Sequence, residues 1–128
     1  MDFERTYSES SPWESKIGYC RALRAGNLLY ITGTTSLDDN GRVHAPGDGY
    51  EQAKRCLELI ERALTTMRAE RRHIVRTRMF VTDITRWAEF GKAHKEFFDK
   101  HPPTTTMIQV SRLIDPAMLI EIEADGIF

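Results

Sequence analysis

Glu121 and Glu123 are the residues of this chain whose type and setting best suit chemistry. They stand in Leu119-Ile120-Glu121-Ile122-Glu123-Ala124, where strand alternation puts both carboxylates opposite Met118, Ile120, Ile122 and Ala124. Two readings are open at such a place. Carboxylates in a final strand usually face solvent. If a second chain covers that face, one of them loses water, its pKa rises, and it can serve as a general base toward water.

The other reactive side chains form no motif. His44, His73, His94 and His101 are scattered without ligand spacing, and neither Cys20 nor Cys56 neighbours one, so no zinc pattern exists. Asp38-Asp39-Asn40-Gly41 resembles the start of a calcium loop, but its glycine comes too early and the closing glutamate is missing. Gly33-Thr34-Thr35-Ser36 is rich in hydroxyls yet lacks the lysine and glycine spacing of a phosphate loop. No Ser-His-Asp motif stands out. Arg68, Arg71, Arg72, Arg76 and Arg78 cluster around His73 without interleaved aromatics, in a chain of net charge −1. That pattern reads as a charge patch and argues against nucleic acid as a partner.

These groups must be positioned by one domain, since 128 residues support a single core. Cys56 falls on a helix core position, so reduced thiols are expected. With no apolar leader and no apolar run of spanning length, the expected setting is the cytoplasm, away from membranes. Residues 1–15 read as an irregular segment and 16–128 as the domain. A strand is expected from Lys16 to Ala25, then a Gly26-Asn27 turn into Leu28-Leu29-Tyr30-Ile31-Thr32-Gly33. A short extended piece at Arg42-Val43-His44 follows the Asp38–Gly41 turn.

The period then changes. Ala53, Cys56, Leu57, Ile60, Ala63, Leu64 and Met67 mark an amphipathic helix from about Gly49 to Arg68, capped by Asp48. A strand from His73 to Asp83 alternates Val75, Thr77, Met79 and Val81 with Ile74, Arg76, Arg78 and Phe80. A second helix, about Thr85 to Lys100, is expected to bury Trp87, Phe90, Phe97 and Phe98 before His101-Pro102-Pro103 stops it. Two strands, Thr104 to Arg112 and Ala117 to Asp125, close the chain as a hairpin about Asp115-Pro116.

The fold class is therefore α+β: about six strands with two helices, which can cover only one sheet face. The open face mixes Leu28 or Leu29, Tyr30 or Ile31, Ile74 and Phe80 with Arg76 and Arg78. Such a mixture suits a subunit interface closed by symmetry.

Several segments together resemble the RidA/YjgF family. They are Leu29-Tyr30-Ile31-Thr32-Gly33, the Asp-Gly turn, Gln52, Val75-Arg76-Thr77, Phe80-Val81-Thr82-Asp83, Val110-Ser111-Arg112-Leu113 and Ile120-Glu121-Ile122-Glu123-Ala124. The likeness runs from about Ile17 to Ala124. It implies a chorismate-mutase-like fold, a homotrimer with sheets facing inward, and three clefts between subunits. It also implies a small-molecule ligand and cofactor-free hydrolysis of 2-imino or enamine acids to a keto acid and ammonia.

Carried over by position, the family's water-activating glutamate falls on Glu121. Its cleft-mouth tyrosine falls on Tyr19, here preceded directly by Gly18, its backbone-contact glycine on Gly33, and a pocket cysteine on Met107. The arginine that clamps a substrate carboxylate falls on Thr105. A neutral hydroxyl there removes a bidentate anchor, so the resemblance is to an arginine-less branch. Arg21, on the face of Tyr19 by parity, either replaces that anchor or serves a salt bridge between subunits. The alternative to an enzyme is a ligand-binding or regulatory trimer that keeps the cleft and not the reaction.

Overall fold

The computed structural model describes residues 2–128. The longest element begins where Asp48 accepts the Glu51 N–H at 3.0 Å, opening helix α2, Gly49–Thr66. Its stripe of Ala53, Cys56, Leu57, Ile60, Ala63 and Leu64 is buried on the sheet. Buried Gln52 ties α2 to the chain ahead of the last strand: its amide donates to Ala117 O and its carbonyl accepts Leu119 N–H, at 2.9 and 2.8 Å.

Six strands make one sheet: β1 Phe3–Thr6, β2 Ala22–Ala25, β3 Leu28–Thr35, β4 Ile74–Val81, β5 Thr104–Gln109 and β6 Ile120–Ile127. Their order is β1-β2-β3-β6-β4-β5, antiparallel except for the parallel pair β4–β5. Helix α3, Trp87–Phe97, makes the crossover between those two. The last two strands are therefore not a hairpin. β6 enters the middle of the sheet between β3 and β4, where both of its edges are hydrogen-bonded.

Leu29, Ile31, Thr77, Met79, Val81, Ile120, Ile122 and Ala124 are buried on one face with the stripes of the helices. The other face carries Leu28, Tyr30, Phe80, Glu121, Glu123 and Asp125, and Arg78 pairs there with Glu123 and Asp125 at 3.1 and 3.4 Å. A bulge between Ile74 and Arg76 exposes Val75 and turns Ile74 inward, so the expected alternation holds only from Arg76 onward.

Three further expectations are corrected. Residues 1–15 are not irregular throughout: Phe3–Thr6 pairs with β2, and Trp13–Ile17 is a short helix, α1, ended by left-handed Gly18. Strand Lys16–Ala25 shrinks to β2 because α1 and its cap occupy Lys16 to Gly18. Trp87 is 63% exposed, since it opens α3 on the turn facing away from the sheet, whereas Phe90 and Phe98 are buried.

Candidate active site

The β3–β6 pairing steps from Ile31↔Ala124 to Thr34↔Ile122, leaving Thr32 and Gly33 in a bulge. Past the bulge Thr35 stands opposite Glu121, which on its other side faces Phe80 of β4. Glu121 thus rises from the open face at the middle of the sheet, and its carboxylate lies over Gly33. A Cβ on Gly33 would come within 2.8 Å of Glu121 Oε1, so the side chain occupies space that any other residue would take.

Arg21, directly before β2, completes the floor. One guanidinium nitrogen donates to Gly33 O at 3.2 Å and to Thr34 Oγ1 at 3.0 Å, and the other reaches Glu14 Oε2 at 3.2 Å. The Tyr19 ring centroid is 5.9 Å from its Cζ. Glu14, buried on α1, also accepts the Ser8 N–H at 2.9 Å and the Ser8 hydroxyl. Arg21 Nε is buried without a hydrogen-bond partner.

A pocket of about 560 Å³ opens over this floor, with Tyr19, Arg21, Gly33, Thr35, Ile114 and Glu121 in its wall. Removal from water raises the Glu121 pKa, the neighbouring Glu123 charge raises it further, and the Arg21 cation works in the opposite direction. A carboxyl so placed is a proton acceptor closer to neutral than an ordinary glutamate.

Thr105 and Met107 are not in this pocket. They pair with Thr77 and Met79, whose side chains are buried under the helices, so parity aims them away from Glu121. Met107 packs against the core, and Thr105 Oγ1 bonds Thr77 Oγ1 at 2.7 Å. Both sit on β5, which ends the sheet with one edge open.

Sequence reasoning missed Glu14, whose charge gives no sign of burial within a polar segment. It also missed the contact of His94 with Thr77, although His94 lies four residues after buried Phe90, on the core stripe of α3. Cys56 is buried against Ile120 O, and burial pushes its thiol pKa up, which makes it unreactive. Cys20 and Cys56 are both free thiols. Among the described residues no three His, Cys, Asp or Glu side chains converge as metal ligands, and no helix is long and apolar enough to cross a membrane.

Residues 9–127 match the model of the family described as Endoribonuclease L-PSP, which is the YjgF/RidA family. The chain belongs to this family. It is 31% identical to an uncharacterized protein of Streptomyces coelicolor over 95% of this chain and 90% of that one. It is 29% identical to the 3-aminoacrylate deaminase RutC of Acinetobacter baylyi, over 81% and 82% of the two chains.

Among solved structures, a YjgF family member from Mycobacterium tuberculosis superimposes with a TM-score of 0.89. It is 40% identical, with 99% of this chain and 100% of that one covered. The yjgF gene product of E. coli gives 0.83 at 26% identity, covering 97% and 98%. The α+β sheet with helices on one face is the YjgF-family fold.

Proposed function

We propose that this YjgF/RidA-family chain hydrolyses a small imine or enamine, releasing ammonia, with Glu121 as the base and no cofactor. The observation that carries the reading is the Glu121 carboxyl itself: desolvated, held over Gly33, and facing a pocket large enough for a small metabolite and a water. An enamine first tautomerises to its imine. Glu121 then takes a proton from water as the water oxygen bonds to the C=N carbon and the C=N electron pair moves to nitrogen. Glu121 returns that proton to the nitrogen, giving the carbinolamine. It then takes the hydroxyl proton and delivers it to the nitrogen as the C–N bond breaks, so ammonia leaves and a C=O remains. Tyr19, the Gly33 backbone and Arg21 orient the reacting group.

The working unit of this proposal is a homotrimer. Leu28, Tyr30, Val75, Ile108 and Ile127 are exposed apolar residues on the sheet, as an interface between copies would require. A neighbouring copy's β5 edge, brought against the pocket, would supply Thr105 and Met107, which the chain's own parity turns away from Glu121.

The second reading, a binding trimer without turnover, is favoured by one observation. The Arg21 guanidinium is already engaged by Glu14, Gly33 and Thr34, so the pocket presents no free cation at that position to a substrate carboxylate. RNA cleavage, which the family description names, is disfavoured by charge. Glu121, Glu123 and Asp125 outnumber Arg76 and Arg78 on the face they share, and with a net charge of −1 the chain offers little attraction to a polyanion.

Ammonia release from a panel of imines and enamines by wild type and Glu121→Gln separates the readings. The enzyme loses about two to four orders of magnitude in turnover on that change. A substrate turned over equally by both proteins removes Glu121 from the mechanism.

A further inference from the structure

A buried polar chain runs from α3 to the surface of β5. His94 Nε2 stands 2.7 Å from Thr77 Oγ1, and Thr77 Oγ1 stands 2.7 Å from Thr105 Oγ1. Thr77 is fully buried in the middle of β4 and His94 nearly so, while Thr105 is exposed. Burial lowers the His94 pKa, which keeps the ring neutral at neutral pH.

Each threonine hydroxyl has one proton to give, so the chain has two polarities. With the proton on His94 Nε2, donation runs His94 to Thr77 to Thr105, and the Thr105 hydrogen is left to point outward. With the proton on Nδ1, donation runs inward, and Thr105 offers its lone pairs. The exposed end can therefore meet either an acceptor or a donor by a change of tautomer, without moving a heavy atom. It has no charge to offer. The cations facing β5 in register, Arg76 and Arg78, stand opposite Thr104 and Thr106, each one residue out of phase with Thr105 and on the other face of the sheet.

We propose that His94 and Thr77 are positioning residues that aim the Thr105 hydroxyl, and that this end of the ligand site selects an uncharged carbonyl, amide or hydroxyl group over a carboxylate. A carboxylate docked on a neutral hydroxyl gives up hydration without gaining an ion pair. An amide loses less water and finds both a donor and an acceptor partner in the same hydroxyl. The inference rests on the proposed cleft, in which Thr105 faces ligand, and it narrows the substrates there to imines whose remote end is neutral.

Pyruvamide and pyruvate, stable and nearly isosteric, differ in charge at one end and probe the site without turnover. Each is titrated into full-length protein labelled with 15N in histidine, and affinity is followed together with the His94 ring nitrogens. The expected result is pyruvamide binding about fivefold or more tighter than pyruvate, with His94 shifting between tautomer patterns as it binds. Thr77→Val, which keeps size and leaves Thr105 in place, abolishes both the preference and the shift. Thr105→Val does the same, the double variant loses nothing further, and Thr77→Ser restores both effects. If Thr77→Val does not fold, His94→Leu breaks the relay from its other end. Pyruvate binding as tightly as pyruvamide, no pyruvamide binding, or wild-type behaviour in the relay-broken protein overturns the inference. The same titration in Glu121→Gln is independent of chemistry: pyruvamide preference retained there, with no turnover of any imine by wild type, would sink the catalytic reading and leave the relay standing.

Discussion

Glu14 holds Arg21 at 3.2 Å from a helix of only five residues, and the side chains of the pair are 6% and 12% exposed. Their contact fixes the N-terminal segment against β2 and β3, because Glu14 also binds Ser8 and Arg21 also binds Gly33. It also neutralises the Arg21 cation on the pocket floor. Removing a single partner of such a pair leaves a buried charge, at a cost of roughly 3–5 kcal/mol. Glu14→Ala is expected to lower the urea midpoint accordingly. The freed guanidinium is expected to improve binding of carboxylate probes such as pyruvate. Unchanged stability in urea would show that the segment around Ser8 contributes little to the fold.

Gly33→Ala is a test of position without a change of chemistry. The added methyl meets Glu121 Oε1 and Cδ, the far end of a side chain that can swing away, and Gly33 does not use a positive φ. Folding is expected to change by less than about 1 kcal/mol. The carboxylate, displaced from its place, is expected to lose about tenfold to a hundredfold in turnover, since small misplacements of a reacting group carry penalties of that order. The check is kcat beside the thermal midpoint. A variant with wild-type kcat would mean the close approach to Gly33 does not set the base.

The raised pKa of Glu121 also has a stability consequence, and its sign is fixed. A carboxyl whose folded pKa lies above its unfolded value holds more protons folded than unfolded between those two values. Stability therefore falls as pH rises through that window, and the cost persists above it. Glu121→Gln removes the ionisation. The variant is expected to melt above wild type at neutral pH, with the gap closing as pH drops to the ordinary glutamate range. If Glu121 is the base, turnover by wild type is expected to run the other way, rising with pH as Glu121 ionises. Melting temperatures from pH 4 to 8 for both proteins decide the matter. A gap that does not change with pH would show that Glu121 ionises as it does in the unfolded chain.

Much of this was legible from residue order. The β6 alternation, with Ile120, Ile122 and Ala124 inward and Glu121 and Glu123 outward, is a period-two pattern that a central strand cannot shift by one residue. Asp48 and the α2 stripe are equally explicit. Other features lack a local signal. Four residues of β1 and five of α1 are too short to show a period, so only their pairing partners define them. Thr105 and Met107 could not be assigned a side from β5 itself, because that strand is largely exposed and its parity is set by Thr77 and Met79 across the ladder. Bulges at Gly33 and Val75 are likewise products of pairing.

The parity of Thr105 makes the shared site a matter for genetics as well as scattering. Within one chain Glu121 and Thr105 point to opposite sides of the sheet, two strands apart in the order β6-β4-β5. If both act on one ligand, they come from different copies, and two defective proteins can repair each other. Glu121→Gln disables the base, and Thr105→Trp fills the β5 side of the cleft with an indole. Each alone is expected to be inactive. Co-expressed in equal amounts, subunits assort at random around a closed ring, so about a quarter of the clefts receive an intact Glu121 and an intact Thr105. Activity near that fraction of wild type is the expected outcome, while mixing the two proteins after assembly leaves both silent until subunits exchange. Light scattering on the mixture must give three chains per particle. No recovery from co-expressed, properly assembled trimers would place the whole site in one chain, and Thr105 would then have no part in binding.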